Sequence, residues 1–466
     1  MKKLHYHFIG IKGVGMTALA LCAQDKGVEV TGWDVDEHFV TDKILADRGI
    51  SWSKDPSIPG NPDLIIMTAA HGGMGNSQIL LAQSRGIPVT TYAQAVALMM
   101  QGKIGISVCG VGGKTTTVAM LATILDRAGL HPSYIDGVGG ISSLPAPGAF
   151  NELGKYFIAE ADEYAISPGT DDRPKFIFQH PQAVIVTNIE HDHPDIYPSL
   201  ESVEKVYSEF FNEIPSDGLL VAQIDNSNSA RITLPLKDKL DLVTVGLSPR
   251  ADWRITKVHT GEEIMFIEVS QHGLEEKLTL SVPGNHNALN AVASAAVANH
   301  YGVGWDKIQK GIKEFTGTKR RFEFIGENAG IRLYDDYAHH PTEIKTVIKA
   351  TKEWLPGRRV IVAFQPHTYS RTKALFSQFT KSFTSADFTL FVDIYASKRE
   401  TQDFSVSSKL LCEETRKINR NVKYIGPKEK LPQELSSIAK HGDVIITMGA
   451  GDIFQEHENI LKELKD

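Results

Sequence analysis

Apolar positions along the chain fall into short runs separated by stretches with helical spacing. Leu4 to Ile9, Val28 to Thr31, Leu64 to Met67 and Val89 to Thr90 read as strands with helical patterns between them, the rhythm of parallel βαβ units whose helices cover a sheet. A second unit opens with a strand at Ile104 to Cys109, turns on glycines and enters a helix over Thr115 to Ala128, so Gly102 and Lys103 mark a seam. Strands follow at Tyr156 to Ala159 and Ala183 to Thr187, then an antiparallel set of short strands from about Leu219 to Val282, then helices over Ala288 to Asn299 and Asp306 to Phe315. From Gly317 a third unit carries strands at Ile331 to Tyr334, Val360 to Phe364, Phe388 to Val392 and Val444 to Met448. The pattern predicts three α/β domains, over 1–102, 103–316 and 317–466.

Composition narrows the class. A chain of 466 residues exceeds what one core supports, and 42% hydrophobic with 23% charged residues is the make-up of an ordinary soluble protein. The formal net charge of -7, with both signs interspersed, argues against nucleic-acid or anionic-membrane partners. Three scattered cysteines, Cys22, Cys109 and Cys412, build neither a disulfide framework nor a C-x-x-C metal site. The opening residues lack a signal-peptide pattern, and no apolar run reaches the roughly 20 residues of a membrane span. A cytoplasmic protein, monomeric or homodimeric, is expected.

Two glycine turns bear on chemistry. After the first strand, Gly13, Val14, Gly15 and Ala18 satisfy G-x-G-x-x-A, where small residues bring a helix N-terminus up to a diphosphate. Asp34, at the end of the second strand, is placed to accept hydrogen bonds from a ribose. Alone this turn suggests NAD, or a glycine turn with no ligand. The second turn, Gly110-Val111-Gly112-Gly113-Lys114-Thr115-Thr116, follows a strand and opens a helix; its backbone N–H groups and Lys114 suit nucleotide phosphates, and a threonine hydroxyl suits magnesium. The strict motif has Gly where this chain has Val108.

Further segments follow in order: Glu160-Ala-Asp162-Glu163, Asn188-Ile-Glu190-His191-Asp192-His193, Asn285-His286-Asn287 with Asn290, Arg320-Arg321, Asp335-Asp336 with His339-His340, and His367 with Arg371. With the two turns they resemble the Mur ligases over the whole length of the chain, and the later motifs are most similar to the branch that adds L-alanine. The resemblance implies a Rossmann-like N-terminal domain, a central P-loop ATPase-like domain with a mixed sheet, and a Rossmann-like C-terminal domain, binding in order a UDP-sugar, ATP and an amino acid. It implies that ATP and Mg2+ are used to join the lactyl carboxylate of UDP-N-acetylmuramate to L-alanine through an acyl phosphate. The first turn would then hold UDP rather than NAD.

The roles implied by the resemblance are as follows. UDP-sugar falls to Gly13, Val14, Gly15, Asp34 and Asn188. ATP falls to Gly110, Gly112, Gly113, Lys114, Thr115, Thr116, His286, Asn287, Asn290, Arg321 and Asp336, and magnesium to Thr115 and Glu160, with His193 for a second ion. His339, His340, His367 and Arg371 would hold the amino acid and the acyl end, with Lys114, Glu160, His193, Arg321, His339 and Arg371 catalytic. The oxygen donors suit a hard cation, and a guanidinium suits a carboxylate. His286 or Asn287 could instead cap their helix, Arg320-Arg321 could be a solvated face, and any of the histidines could be structural.

Two features depart from the family. Val111 and Gly112 stand where relatives carry a hydroxyl and a polar side chain, and Gly112 beside Gly113 implies a freer loop. Asp171-Asp172-Arg173-Pro174 resembles the recycling relative that attaches the L-Ala-γ-D-Glu-diaminopimelate tripeptide. That acceptor, a non-catalytic regulator binding nucleotide or UDP-sugar, and a nicotinamide dehydrogenase are the alternatives.

Overall fold

The computed structural model describes residues 3–261, 263–271, 273–396, 400 and 402–464. It divides into two compact units, the first covering 1–258, 267–280 and 288–316, the second 259–266, 281–287 and 317–466.

The first unit opens with a wholly parallel sheet ordered Ser51–Ser53, Glu29–Trp33, His5–Ile9, Leu64–Met67, Val89–Thr91. The order reverses at His5–Ile9, whose C-terminal end leads into the first glycine turn and helix Val14–Asp25. In open α/β sheets that reversal is where ligands bind. From Met16 to Ala23 the helix is buried continuously, including Leu19, Leu21 and Cys22. A helix apolar on every side needs cover on every side, and its second face lies against Ile135, Phe157 and Ala159 of the next sheet. Gly148 there lies so close to Ala18 that a Cβ would meet the Ala18 carbonyl carbon at 2.7 Å.

Among the described residues the second sheet has ten strands, in the order Leu274–Leu280, Ile264–Gln271, Trp253–Gly261, Asp241–Gly246, Leu219–Gln223, Ala183–Val186, Ile104–Cys109, Tyr156–Glu160, Ser133–Ile135, Gly148–Ala149. Its centre is parallel and doubly covered, which explains the near-continuous apolar runs. The stretch expected to be antiparallel from Leu219 differs: Leu219–Gln223 and Asp241–Gly246 pair parallel. Helix Ser227–Thr233, capped by the Asn226 side chain on Ser229 N–H, lies between them and makes a crossover possible.

In the second unit, six strands run Glu323–Asn328, Ile331–Asp336, Val444–Met448, Val360–Phe364, Phe388–Val392, Val422–Gly426. Among the described residues, only the Glu323–Asn328 edge is antiparallel. Ile331, Leu333, Ile361, Leu390 and Ile445 form its core. No helix among the described residues is long and apolar enough to cross a membrane.

Candidate active site

Strand Ile104–Cys109 delivers the chain to Gly110, which adopts φ +126°; a Cβ there would meet Asn188 O at 2.6 Å, so only glycine fits. Gly113, at φ +87°, precedes helix Lys114–Arg127 and abuts the Asn290 side-chain amide. The loop is not free at Gly112, contrary to expectation. Gly112 N–H donates to Asn188 Oδ1 at 2.8 Å, Thr187 Oγ1 donates to Gly112 O at 2.7 Å, and Val111 N–H donates to Asn188 O at 3.1 Å. Restraint on the loop comes from Thr187 and Asn188, just past strand Ala183–Val186. Sequence reading overlooked Thr187 and gave Asn188 to the sugar; its Nδ2 points to Glu190 at 3.2 Å.

Lys114 Nζ donates to Gly110 O at 2.6 Å and to Glu163 Oε2 at 2.9 Å. Burial works against its charge, but Glu163, Asp162 and Glu160 outweigh it and raise the pKa, so the ammonium is firmly protonated. Asp162 is lowered despite its burial, chiefly by Lys175, which it meets at 2.6 Å, and by Lys114. Asp162 and Glu163, to which the sequence reading assigned no role, join His193 in a cluster whose ligand atoms lie within 4.8 Å of one another. His193 Nε2 is 3.8 Å from Glu163 Oε1, and its backbone takes φ +54°, stabilised where its N–H donates to Asp192 Oδ1 at 2.8 Å. Separately, Thr115 Oγ1 donates to Glu160 Oε1 at 3.0 Å, which also accepts Gly137 N–H at 2.8 Å. Thr115 and Glu160 therefore offer a hard oxygen pair beside the phosphate lysine, a donor set that fits magnesium.

At the first glycine turn, Gly13 precedes helix Val14–Asp25, and Gly15 sits where a Cβ would lie 2.9 Å from the Tyr92 hydroxyl. Asp34 is buried, one carboxylate oxygen accepting Lys12 N–H at 2.7 Å and the other Val35 N–H at 2.8 Å. Its carboxylate thus ties the turn to the next strand.

In the second unit Arg320 is anchored by a carboxylate and two carbonyls. Arg320 Nε donates to Asp335 at 2.9 Å, and its terminal nitrogens donate to the Gly451 and Gly449 carbonyls at 3.1 and 2.6 Å. Arg321 lies over the Tyr337 ring at 5.2 Å. Asp336 accepts Phe322 N–H and Ala338 N–H, both at 2.8 Å; burial pushes it up to about 6, against Arg321 and those N–H groups. Burial brings His286 down to about 4, Arg321 adding to the shift and Glu343 opposing it. Asn287 Nδ2 donates to Pro283 O at 2.7 Å, and Asn290 accepts from Gln223 at 3.1 Å; His286 and Asn287 both lie inside helix Asn285–His300 rather than capping it.

His340 does cap a helix: its buried ring accepts Thr342 N–H at 3.3 Å at the start of Pro341–Trp354. His339 and His367 face each other edge to face at 6.1 Å, and Arg371 lies 3.2 Å from His367 Nδ1. Arginine only donates, so in this contact His367 Nδ1 is the acceptor. His339 Nδ1 approaches the Tyr337 carbonyl at 2.9 Å and so carries the hydrogen.

Sequence comparison matches residues 5–104 to the Mur ligase family catalytic domain, 108–298 to the Mur ligase middle domain and 320–451 to the Mur ligase glutamate ligase domain. A UDP-N-acetylmuramate--L-alanine ligase of Desulfitobacterium hafniense is 36% identical, with 98% of this chain and 99% of that protein aligned. The chain belongs to the Mur ligase family. Another UDP-N-acetylmuramate--L-alanine ligase, from Trichlorobacter lovleyi, is 38% identical with 98% of each aligned. Among solved structures, a Thermotoga maritima UDP-N-acetylmuramate-alanine ligase superposes with a TM-score of 0.80 at 24% identity over 98% of both chains, and a murein peptide ligase of Psychrobacter arcticus with 0.72 at 25% over 99% and 98%. This Mur ligase therefore has the family's three-domain α/β fold.

Proposed function

We propose that this chain is the ATP-dependent ligase that joins L-alanine to the lactyl carboxylate of UDP-N-acetylmuramate in peptidoglycan precursor synthesis, working in the cytoplasm. The observation that carries the reading is full-length similarity at 36% and 38% to proteins so named, joined to a phosphate loop whose lysine is held charged by an acidic cluster.

In the first step the lactyl carboxylate oxygen bonds to the γ-phosphorus of ATP while the bond to the bridging oxygen breaks, releasing ADP. The meeting of two anions calls for fixed positive charge more than covalent help, and Lys114 supplies it. Thr115 and Glu160 would hold one magnesium ion, and His193, with Asp162 or Glu163, would hold a second; the ions would supply screening of phosphate charge. The amine of L-alanine then attacks the acyl carbon, the amide bond forms and phosphate leaves. Arg371 grips the amino-acid carboxylate, and His339, donating through Nδ1, presents Nε2 to take the amine proton. Arg321 is assigned to the γ-phosphate by resemblance to the family. His286, Asn287 and Asn290 serve the adenine, Asp336 the region of the ATP ribose, and the turn at Gly13 to Gly15 the UDP diphosphate.

Phosphate release with ATP, magnesium and UDP-N-acetylmuramate tests this, with L-alanine, glycine, L-serine or the L-Ala-γ-D-Glu-diaminopimelate tripeptide as acceptor. Release that depends on L-alanine is expected. Release that depends on the tripeptide would replace the reading with recycling, and binding without release would make the chain a regulator.

A further inference from the structure

His367 is flanked by aromatic rings on two sides. His339 meets it edge on, and Tyr395 stacks on it with centroids 5.7 Å apart and planes only 13° from parallel. Tyr395 also brackets His367 through the backbone: Tyr395 N–H donates to Pro366 O at 2.9 Å, and Thr368 N–H donates to Tyr395 O at 3.1 Å. Thr368 adopts φ +68°, unfavourable for a β-branched residue, so surrounding contacts must hold it there. From Thr368 the chain enters the short helix Tyr369–Ala374, with Thr368 Oγ1 accepting Arg371 N–H at 3.4 Å.

Tyr395 is itself wedged. A Cβ on Gly451 would come within 2.7 Å of the Tyr395 ring and 2.8 Å of its Cβ, so the absence of a side chain at Gly451 makes room for Tyr395. Gly451 is fixed in turn by its carbonyl, which accepts from Arg320. Arg320, Gly451, Tyr395, His367 and Arg371 thus form one chain of contacts. It begins at a buried ion pair with Asp335 and ends at the guanidinium assigned to the acceptor carboxylate.

We infer that Tyr395 is a positioning residue for the acceptor amino acid, its ring holding His367 and, through it, Arg371 in the geometry that grips the carboxylate; this rests on the ligase reading above. A guanidinium binds a carboxylate best when both nitrogens are aligned beforehand. Stacked aromatic rings attract one another beyond their area burial, enough to alter substrate affinity without unfolding the domain.

The test is steady-state kinetics of Tyr395→Ala and Tyr395→Phe, varying L-alanine, ATP and UDP-N-acetylmuramate in turn. For Tyr395→Ala, KM for L-alanine is expected to rise about tenfold, equivalent to about 1.4 kcal/mol, with the other two KM values within about twofold. Tyr395→Phe keeps the stack and should restore KM for L-alanine to within about threefold of the parent. An unchanged KM for L-alanine in Tyr395→Ala, or an equal rise for all three substrates, would overturn the inference, the second because it signals general loosening. If the parent enzyme shows no turnover dependent on L-alanine, the ligase reading fails instead, and the two failures are told apart by that control.

Discussion

Glu163 meets the Lys114 ammonium with one oxygen and faces His193 with the other. Glu163→Gln keeps the shape and removes the charge, so kcat should fall about 100-fold, the usual effect of losing one electrostatic stabiliser. The magnesium needed for half-maximal phosphate release should rise as well, and a magnesium titration checks both. Two neighbours of Arg321 titrate in opposite senses. Asp336 rises from 3.8 to about 6 on folding, so between those values the native chain holds a proton the unfolded chain lacks, and stability from this group falls as pH rises. His286 drops from 6.5 to about 4, so the unfolded chain holds the extra proton and stability from it rises with pH. Over pH 4 to 6 the two largely cancel. Relative to the parent, His286→Gln should lose thermal stability as pH goes from 4.5 to 6, and Asp336→Asn should gain it, each by a few degrees. Parallel slopes in both variants, read by differential scanning fluorimetry, would refute the opposition. The sequence made Lys114 and Thr115 legible because a phosphate loop imposes fixed spacing, whereas Glu160, which Thr115 meets in the fold, was reached only through the family resemblance. It did not distinguish Arg320 from Arg321, because only the fold shows which guanidinium reaches Asp335.

Elements announced by local signals agree with the pattern: a glycine turn followed by a helix at Gly113 and the apolar run of Val360–Phe364 are examples. The pairing direction of Leu219–Gln223 was not legible, since parallel and antiparallel strands share a period of two and what decides between them is the intervening helix Ser227–Thr233. Support of the phosphate loop was hidden for a similar reason, being supplied from Thr187 and Asn188, 75 and 76 residues further along the chain from Gly112. Asn188→Ala removes the acceptor for Gly112 N–H, a change worth about 1–3 kcal/mol. If loop support is its main role, KM for ATP should rise about tenfold or more with KM for UDP-N-acetylmuramate little changed. If Asn188 mainly serves the sugar, the second constant moves instead, and initial rates with each substrate varied decide between them.

Across the molecule, the two glycine turns rest on different sheets of the first compact unit, although helix Val14–Asp25 of the first is buried against strands of the second. That shared apolar packing gives the turns a common foundation, whereas their polar contacts are separate. Lys114 engages Gly110 and Glu163, and the first turn is tied by Asp34 to Lys12 and Val35. Phosphate binding at one turn should therefore be separable from binding at the other. Lys114→Ala is expected to abolish turnover while leaving the Kd for UDP-N-acetylmuramate within about twofold in calorimetry, because contacts that are distant and share no partner behave additively. Gly15→Ala should do the reverse, since its methyl would press on the Tyr92 hydroxyl, weakening UDP-sugar binding while the Kd for an ATP analogue holds. If Lys114→Ala loses the UDP-sugar and Gly15→Ala loses the nucleotide, the two turns have exchanged the ligands assigned to them. If either variant loses both, the shared helix packing transmits the damage and the turns form one cooperative site.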